Sequence, residues 1–194
     1  MKICFLDNSP IPYTTNDLNS KDIRGAESVL IHLSNELTKL DNKVVVFNNS
    51  LENKTINGVK WSNLNNVNKN ITYDLAFTNN DMKLFDKIIA NKYVAFSHSI
   101  QTIEKFIRKG QLISYLKYKP KIILGGKYHN NKRNYLLKMF GSINLQWAVD
   151  PLFLETNLDE GIIENRAIFT SRRDRNLYML IDIWKKKYLH KINQ

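Results

Sequence analysis

The sequence predicts an α/β fold: a doubly wound parallel sheet of Rossmann-like type, followed by a truncated second domain. Three observations carry this. Apolar runs of strand length alternate with amphipathic stretches five or six times over residues 1–146, the pattern of βαβ units and not of a bundle or a sandwich. The first run, residues 2–7, leads through a glycine turn into leucines at helical spacing and then into the valine-rich run 43–48. A strand–helix–strand unit of that kind needs a parallel pair. Near residue 150 the alternation stops, and it restarts at residue 166.

Residues 2–7 form the first strand, at the centre of the sheet. The loop 8–23, with Pro10 and Pro12, is long for a compact domain. It follows the carboxyl end of a strand, where open α/β sheets bind ligands. The helix that begins at 23–28 carries Ala26, Val29, Leu30, Leu33, Leu37 and Leu40 on its apolar face. Gly25 sits at the loop-to-helix junction, where a missing Cβ and free helix N–H groups admit an anion or a sugar hydroxyl. The same glycine serves equally well to turn the loop. Residues 48–57 read as polar turn, 58–61 as a short strand and 73–77 as the next strand. A helix follows over 82–90 with Leu84, Phe85, Ile88 and Ile89 inward, then a strand over 92–96 ending in Ser97, His98 and Ser99.

Residues 103–118 predict one amphipathic helix, with Ile103, Phe106, Ile107, Ile113 and Leu116 inward and Lys105, Arg108, Lys109 and Lys117 outward, stopped by Pro120. A strand over 121–124, the Gly125–Gly126 turn, a helix over 130–140 and a strand over 142–145 complete the first domain, residues 1–146. Residues 147–164, acidic and holding Asp150 and Pro151, read as a linker. Residues 165–194 read as the first strand–helix unit of a second domain: a strand over 166–170, a turn over 171–176 and a helix over 177–189. A lone unit of this kind cannot close a parallel sheet.

With 194 residues, 43% of them apolar, the chain can bury a core. No apolar run reaches bilayer length, and residues 1–7 lack a signal-peptide pattern. Cys4, the single cysteine, excludes a disulfide framework and fits a reducing cytoplasm. The net charge of +11 is uneven, with 11 Lys/Arg against 10 Asp/Glu in residues 1–100 and 18 against 8 in residues 101–194. The second half therefore suits an anionic partner such as phosphate, a lipid surface or nucleic acid, or is a plain solvated basic surface.

His32, His98, His129 and His190 are scattered, so no metal cluster is expected. Neither a nucleophile elbow nor a Walker loop is present. Two constellations remain. His98, between two serines at a strand's carboxyl end, offers a neutral imidazole to a sugar hydroxyl or a reacting oxygen, though a loop histidine reads the same way. Arg172, Arg173 and Arg175 crowd a strand-to-helix turn, where guanidinium forks suit a diphosphate, and a solvated basic turn has the same composition.

Gly25-Ala26-Glu27 before a leucine-rich helix and a valine-rich strand, Val149-Asp150 with Phe153 after the first domain, and Ser171 with Asp174-Arg175 and Leu177 before Trp184 occur in one order along the chain. In that order they resemble the glycosyltransferases of the GT-B fold, those similar to glycosyltransferase family four. The resemblance implies transfer of a sugar from a nucleotide-diphosphate donor to an acceptor hydroxyl, with retention, with no metal and no cofactor beyond the donor substrate. It implies donor binding by Gly25, Ala26, Glu27, Arg172 and Arg175 and a catalytic contact from His98. The partners expected are the nucleotide sugar and an acceptor glycan or lipid. The sequence departs from the family in having one glycine where a pair is frequent and in lacking the paired glutamates of the donor domain.

Three readings follow. The first is a cytoplasmic glycosyltransferase-like protein, with residues 103–118 available for peripheral contact at the inner face of a membrane. That stretch equally suits an ordinary surface helix. The second is a non-catalytic binding domain, or a gene remnant needing a partner. The third, nucleic-acid binding, is disfavoured because no recognition helix or RNA-binding motif is present.

Overall fold

The computed structural model describes residues 1–18, 20, 23–146, 169 and 176–186. The chain divides into two units, Met1–Ala148 and Val149–Gln194.

The first unit is built on an eight-stranded sheet. Its strands are β1 (Lys2–Leu6), β2 (Lys43–Asn48), β3 (Lys54–Ile56), β4 (Val59–Asn63), β5 (Thr72–Asn79), β6 (Ile89–Ser97), β7 (Lys121–Leu124) and β8 (Ser142–Asn144). They lie in the order β3-β4-β2-β1-β5-β6-β7-β8, and every pair but β3–β4 is parallel. The expected doubly wound α/β sheet is therefore present, with β1 inside it between β2 and β5.

Side chains alternate between the two faces of a strand, and the core divides accordingly. From β1, Ile3 and Phe5 join Leu30 and Ile31 of helix α1 (Gly25–Lys39), while Cys4 and Leu6 join the opposite core. That second core takes in Phe106 of α2 (Ile103–Arg108), Tyr115 of α3 (Leu112–Tyr118), and Leu84 and Phe85 of a 3-10 turn, Met82–Lys87. Phe5 stacks on Phe77 with centroids 4.7 Å apart, which ties the two central strands on the α1 side.

The buried stripe of α1 is Glu27, Leu30, Ile31 and Ser34. Val29, Leu33 and Leu37 flank it, and Leu40, expected inside, lies past the helix end and is exposed.

Several elements differ from the sequence expectation. The 82–90 helix is only the 3-10 turn, because the β-branched pair Ile88 and Ile89 enters extended backbone and Ile89 begins β6. The 103–118 helix is two helices. Gly110 adopts φ +64°, a left-handed conformation that ends α2, and the chain restarts at Leu112. That offset turns Ile113 and Leu116 outward, 79% and 48% exposed, and places Tyr115 inside, while Ile107, next to the buried Phe106 in α2, is 61% exposed. The 130–140 helix is replaced by α4 (Lys127–Lys132) and a 3-10 turn, Tyr135–Lys138, whose start Asn134 caps by accepting from the Leu136 N–H. Within 48–57, Lys54–Ile56 forms β3, closed onto β4 by Asn57 and Gly58, both at positive φ.

In the second unit a helix spans Leu177–Trp184. The expected linker 147–164 lies outside the described residues. So does the 166–170 strand apart from Phe169, which is in no regular element.

Candidate functional site

Chain order along the sheet reverses at β1. It runs through β2 and β4 to one side and through β5 to β8 to the other. Ligands in such sheets bind outside the carboxyl ends of the strands at the reversal. Here that edge is polar: Asp7 follows β1, Asn48 ends β2, Asn79 ends β5, and Ser97 ends β6 with His98 next. Asn8 donates from Nδ2 to Asp81 Oδ2 at 2.8 Å, tying the loop after β1 to the loop after β5.

The first turn of α1 faces this edge. Arg24 precedes the helix in extended backbone, and Gly25 is its first residue. A Cβ built on Gly25 would meet nothing within 4 Å, so the approach to the helix N-terminus is open. Glu27 is buried. Its Oε1 accepts from Ser9 Oγ at 2.8 Å and pairs with Arg24 Nη2 at 2.8 Å, and Arg24 Nη2 also donates to Ser9 Oγ at 2.7 Å. Its Oε2 is buried with no hydrogen-bond partner among the described residues. Beneath it, Tyr13 donates its hydroxyl to Asp7 Oδ2 at 2.7 Å, and both are buried. Asn48 and Asn49 hold the loop by donating to the carbonyls of Tyr13 and Ser9, each at 2.7 Å.

His98 stands across the reversal. Its ring lies parallel to Phe96, and Nε2 is 2.9 Å from Asn79 Oδ1. That amide oxygen can only accept, so Nε2 carries the proton, and the tautomer follows from the partner. Burial holds the His98 imidazole below its ordinary pKa, and the Glu27 carboxylate pulls it back upward. The ring is therefore largely neutral at pH 7 and lies within reach of the Glu27 charge. Burial raises the Asp7 carboxyl, the Tyr13 hydrogen bond opposes this, and the Glu27 charge adds to the rise. Tyr13 is pushed well above its usual value, first by burial and then by Asp7.

This arrangement can hydrogen-bond neutral hydroxyls. It offers a neutral imidazole and open helix N–H groups at one sheet edge, with a buried, unpartnered oxygen of Glu27 close by. Of the residues the sequence singled out, Gly25, Ala26, Glu27 and His98 gather here. Arg172 and Arg175, with Arg173, lie outside the described residues. Sequence reasoning missed Asp7, Ser9, Tyr13 and Asn79 as parts of the site. An aspartate closing the central strand was the available signal, whereas the Tyr13–Asp7 contact depends on how the 8–23 loop folds back. Among the described residues, no group of three or more His, Cys, Asp or Glu side chains is placed to hold a metal ion. No protein family, no curated protein and no solved structure matches the chain.

Proposed function

We propose that the chain is glycosyltransferase-like and that its first unit binds a nucleotide-diphosphate sugar at the β1–β5 reversal. One observation carries the reading: the first turn of α1 and His98 meet at the crevice where a doubly wound sheet binds ligands, and the buried Glu27 Oε2 there lacks a partner. In this reading Glu27 accepts a sugar hydroxyl and the Gly25–Ala26 backbone lies against the transferred group. His98 hydrogen-bonds the sugar or the attacking oxygen. The sequence resemblance assigns the diphosphate to Arg172 and Arg175, which lie outside the described residues. Their contribution is positioning and electrostatic stabilisation of the leaving group. The acceptor is a glycan or lipid hydroxyl, and the protein works in the cytoplasm. Peripheral membrane contact through residues 103–118 belongs to the same reading, favoured by Ile107, Ile113 and Leu116 standing exposed among basic side chains.

Calorimetric titration with uridine and guanosine diphosphate sugars tests it. Saturable binding is expected with at least one of them. Glu27→Gln and His98→Ala should each weaken it about tenfold or more, the value of a buried hydrogen bond to a charged or strongly polar group. Gly25→Val fills open space, so it should leave the melting temperature unchanged and still weaken binding. No binding of either sugar nucleotide, or binding indifferent to Gly25→Val and His98→Ala, would refute the reading.

A further inference from the structure

The two halves of the sheet are roofed differently on the α1 side. Over β1, β2 and β4 the apolar packing comes from α1 and the 8–23 loop. Over β5 to β8 the same face carries a groove of about 610 Å³, within the size range of small-molecule sites. The strand registers set its chemistry. Leu75 lies opposite Lys92, Val94 opposite both Phe77 and Lys121, and Ile123 opposite Ile143. The floor is therefore Leu75, Phe77, Val94, Ile123 and Ile143, and its cations stand at one end, toward the amino ends of β6 and β7. Lys119, just before β7, joins them, and no carboxylate is among the described residues that line the groove.

Lys92 and Lys121 are exposed and stand toward the amino-terminal margin of this face, Lys121 being the first residue of β7. Lys92 and Lys121 have apolar stems that extend the floor and ammonium heads that need an anion or water. A groove with an apolar floor and three cations at one end, lined also by Asn91, Tyr93 and Tyr118, matches a ligand with one hydrocarbon chain and one anionic head.

We propose that this groove binds a long-chain alkyl phosphate of lipid origin, its chain along Phe77, Val94, Ile123 and Ile143 and its phosphate among Lys92, Lys119 and Lys121. The site is separate from the β1–β5 crevice and does not depend on the transferase reading.

The test is titration of the full chain with decyl and dodecyl phosphate below their micelle concentrations, read by calorimetry and by isoleucine-methyl NMR. One-to-one binding is expected, with shifts at Ile123 and Ile143, tightening about threefold to fourfold for each methylene buried. The double variant Lys92→Gln/Lys121→Gln should weaken dodecyl phosphate about tenfold and leave dodecanol unchanged. Ile143→Glu, at a half-exposed position, should abolish both, whereas Ile113→Ser on α3 should change neither. Absence of shifts at Ile123 and Ile143, or affinity independent of chain length, would overturn the proposal. So would a dimer in sedimentation that Ile143→Glu dissociates, since a second copy would then occupy the face.

Discussion

Asp7 follows the central strand, with its carboxyl group buried near a second buried carboxylate, Glu27. A carboxyl whose folded pKa is raised holds its proton more tightly in the native state than in the unfolded chain. That contributes stability below the unfolded value, near 3.8, and the contribution is lost as pH rises through the folded value. At pH 7 the ionised Asp7 therefore works against the fold. Asp7→Asn keeps an oxygen for the Tyr13 hydroxyl and removes the charge. It should raise the melting temperature at pH 7 by about 2–6 °C and flatten the fall in stability above pH 4. Thermal melts at pH 4 and pH 7 measure this, and a lower melting temperature for the variant at pH 7 would count against it. Glu27, at the start of α1, was singled out in the sequence only through the resemblance that Gly25-Ala26-Glu27 carries. The Asp7–Tyr13 pair was not, because a long loop's side chains are placed by tertiary contacts that no local pattern records.

At the scale of the element, the β3–β4 hairpin shows how a strong local signal and a weak strand combine. Asn57-Gly58 is a two-residue turn sequence that favours positive φ at both positions, and the chain takes φ 50° and 79° there. Lys54–Ile56 is too short and too exposed to carry a strand pattern of its own, so the turn was readable and the strand was not. A Cβ on Gly58 would sit 2.6 Å from Thr38 Cγ2. Thr38 cannot swing aside freely, since its hydroxyl donates to the Ser34 carbonyl at 2.9 Å. Gly58→Ala should cost roughly 2–3 kcal/mol from left-handed backbone strain and that contact. Thr38→Ala in the same chain should recover the contact part, so the double variant is more stable than the sum of the singles predicts. Urea unfolding of the four proteins provides the cycle, and strict additivity would remove the contact from the account. Gly110 in the 103–118 stretch teaches the reverse lesson. Apolar spacing continued across it at helical period, and only the left-handed backbone shows that the period restarts.

For the whole molecule, composition and periodicity sufficed for the class of fold and the place of β1, since strand alternation depends on burial alone. The helices of the β5–β8 half were harder to read, because short helices and 3-10 turns hold too few turns for a period to register. The outward turn of Ile107, Ile113 and Leu116 sets exposed apolar groups among the +10 excess of residues 101–194. Interfacial binding gains from both terms. Sedimentation with vesicles should show binding that rises with anionic lipid content, falls with salt, and drops several-fold in Ile107→Ser/Ile113→Ser. Equal partitioning to neutral and anionic vesicles would dismiss the membrane contact.

The place of β1 between β2 and β5 also has a consequence in time. The Lys2 N–H donates to the Asp74 carboxylate across 72 residues of sequence, and β1 gains its second neighbour only when Thr72–Asn79 has been made. During synthesis, α1 and β2 emerge first and can cover one side of β1, while its other edge waits with unpaired N–H and C=O groups. Pairings of such long span are slow to close, and an apolar strand with an open edge recruits other chains. The interval between translation of β2 and translation of β5 is therefore when this chain is most exposed to aggregation. A pause between those codons would lower the soluble yield more than one placed after β5.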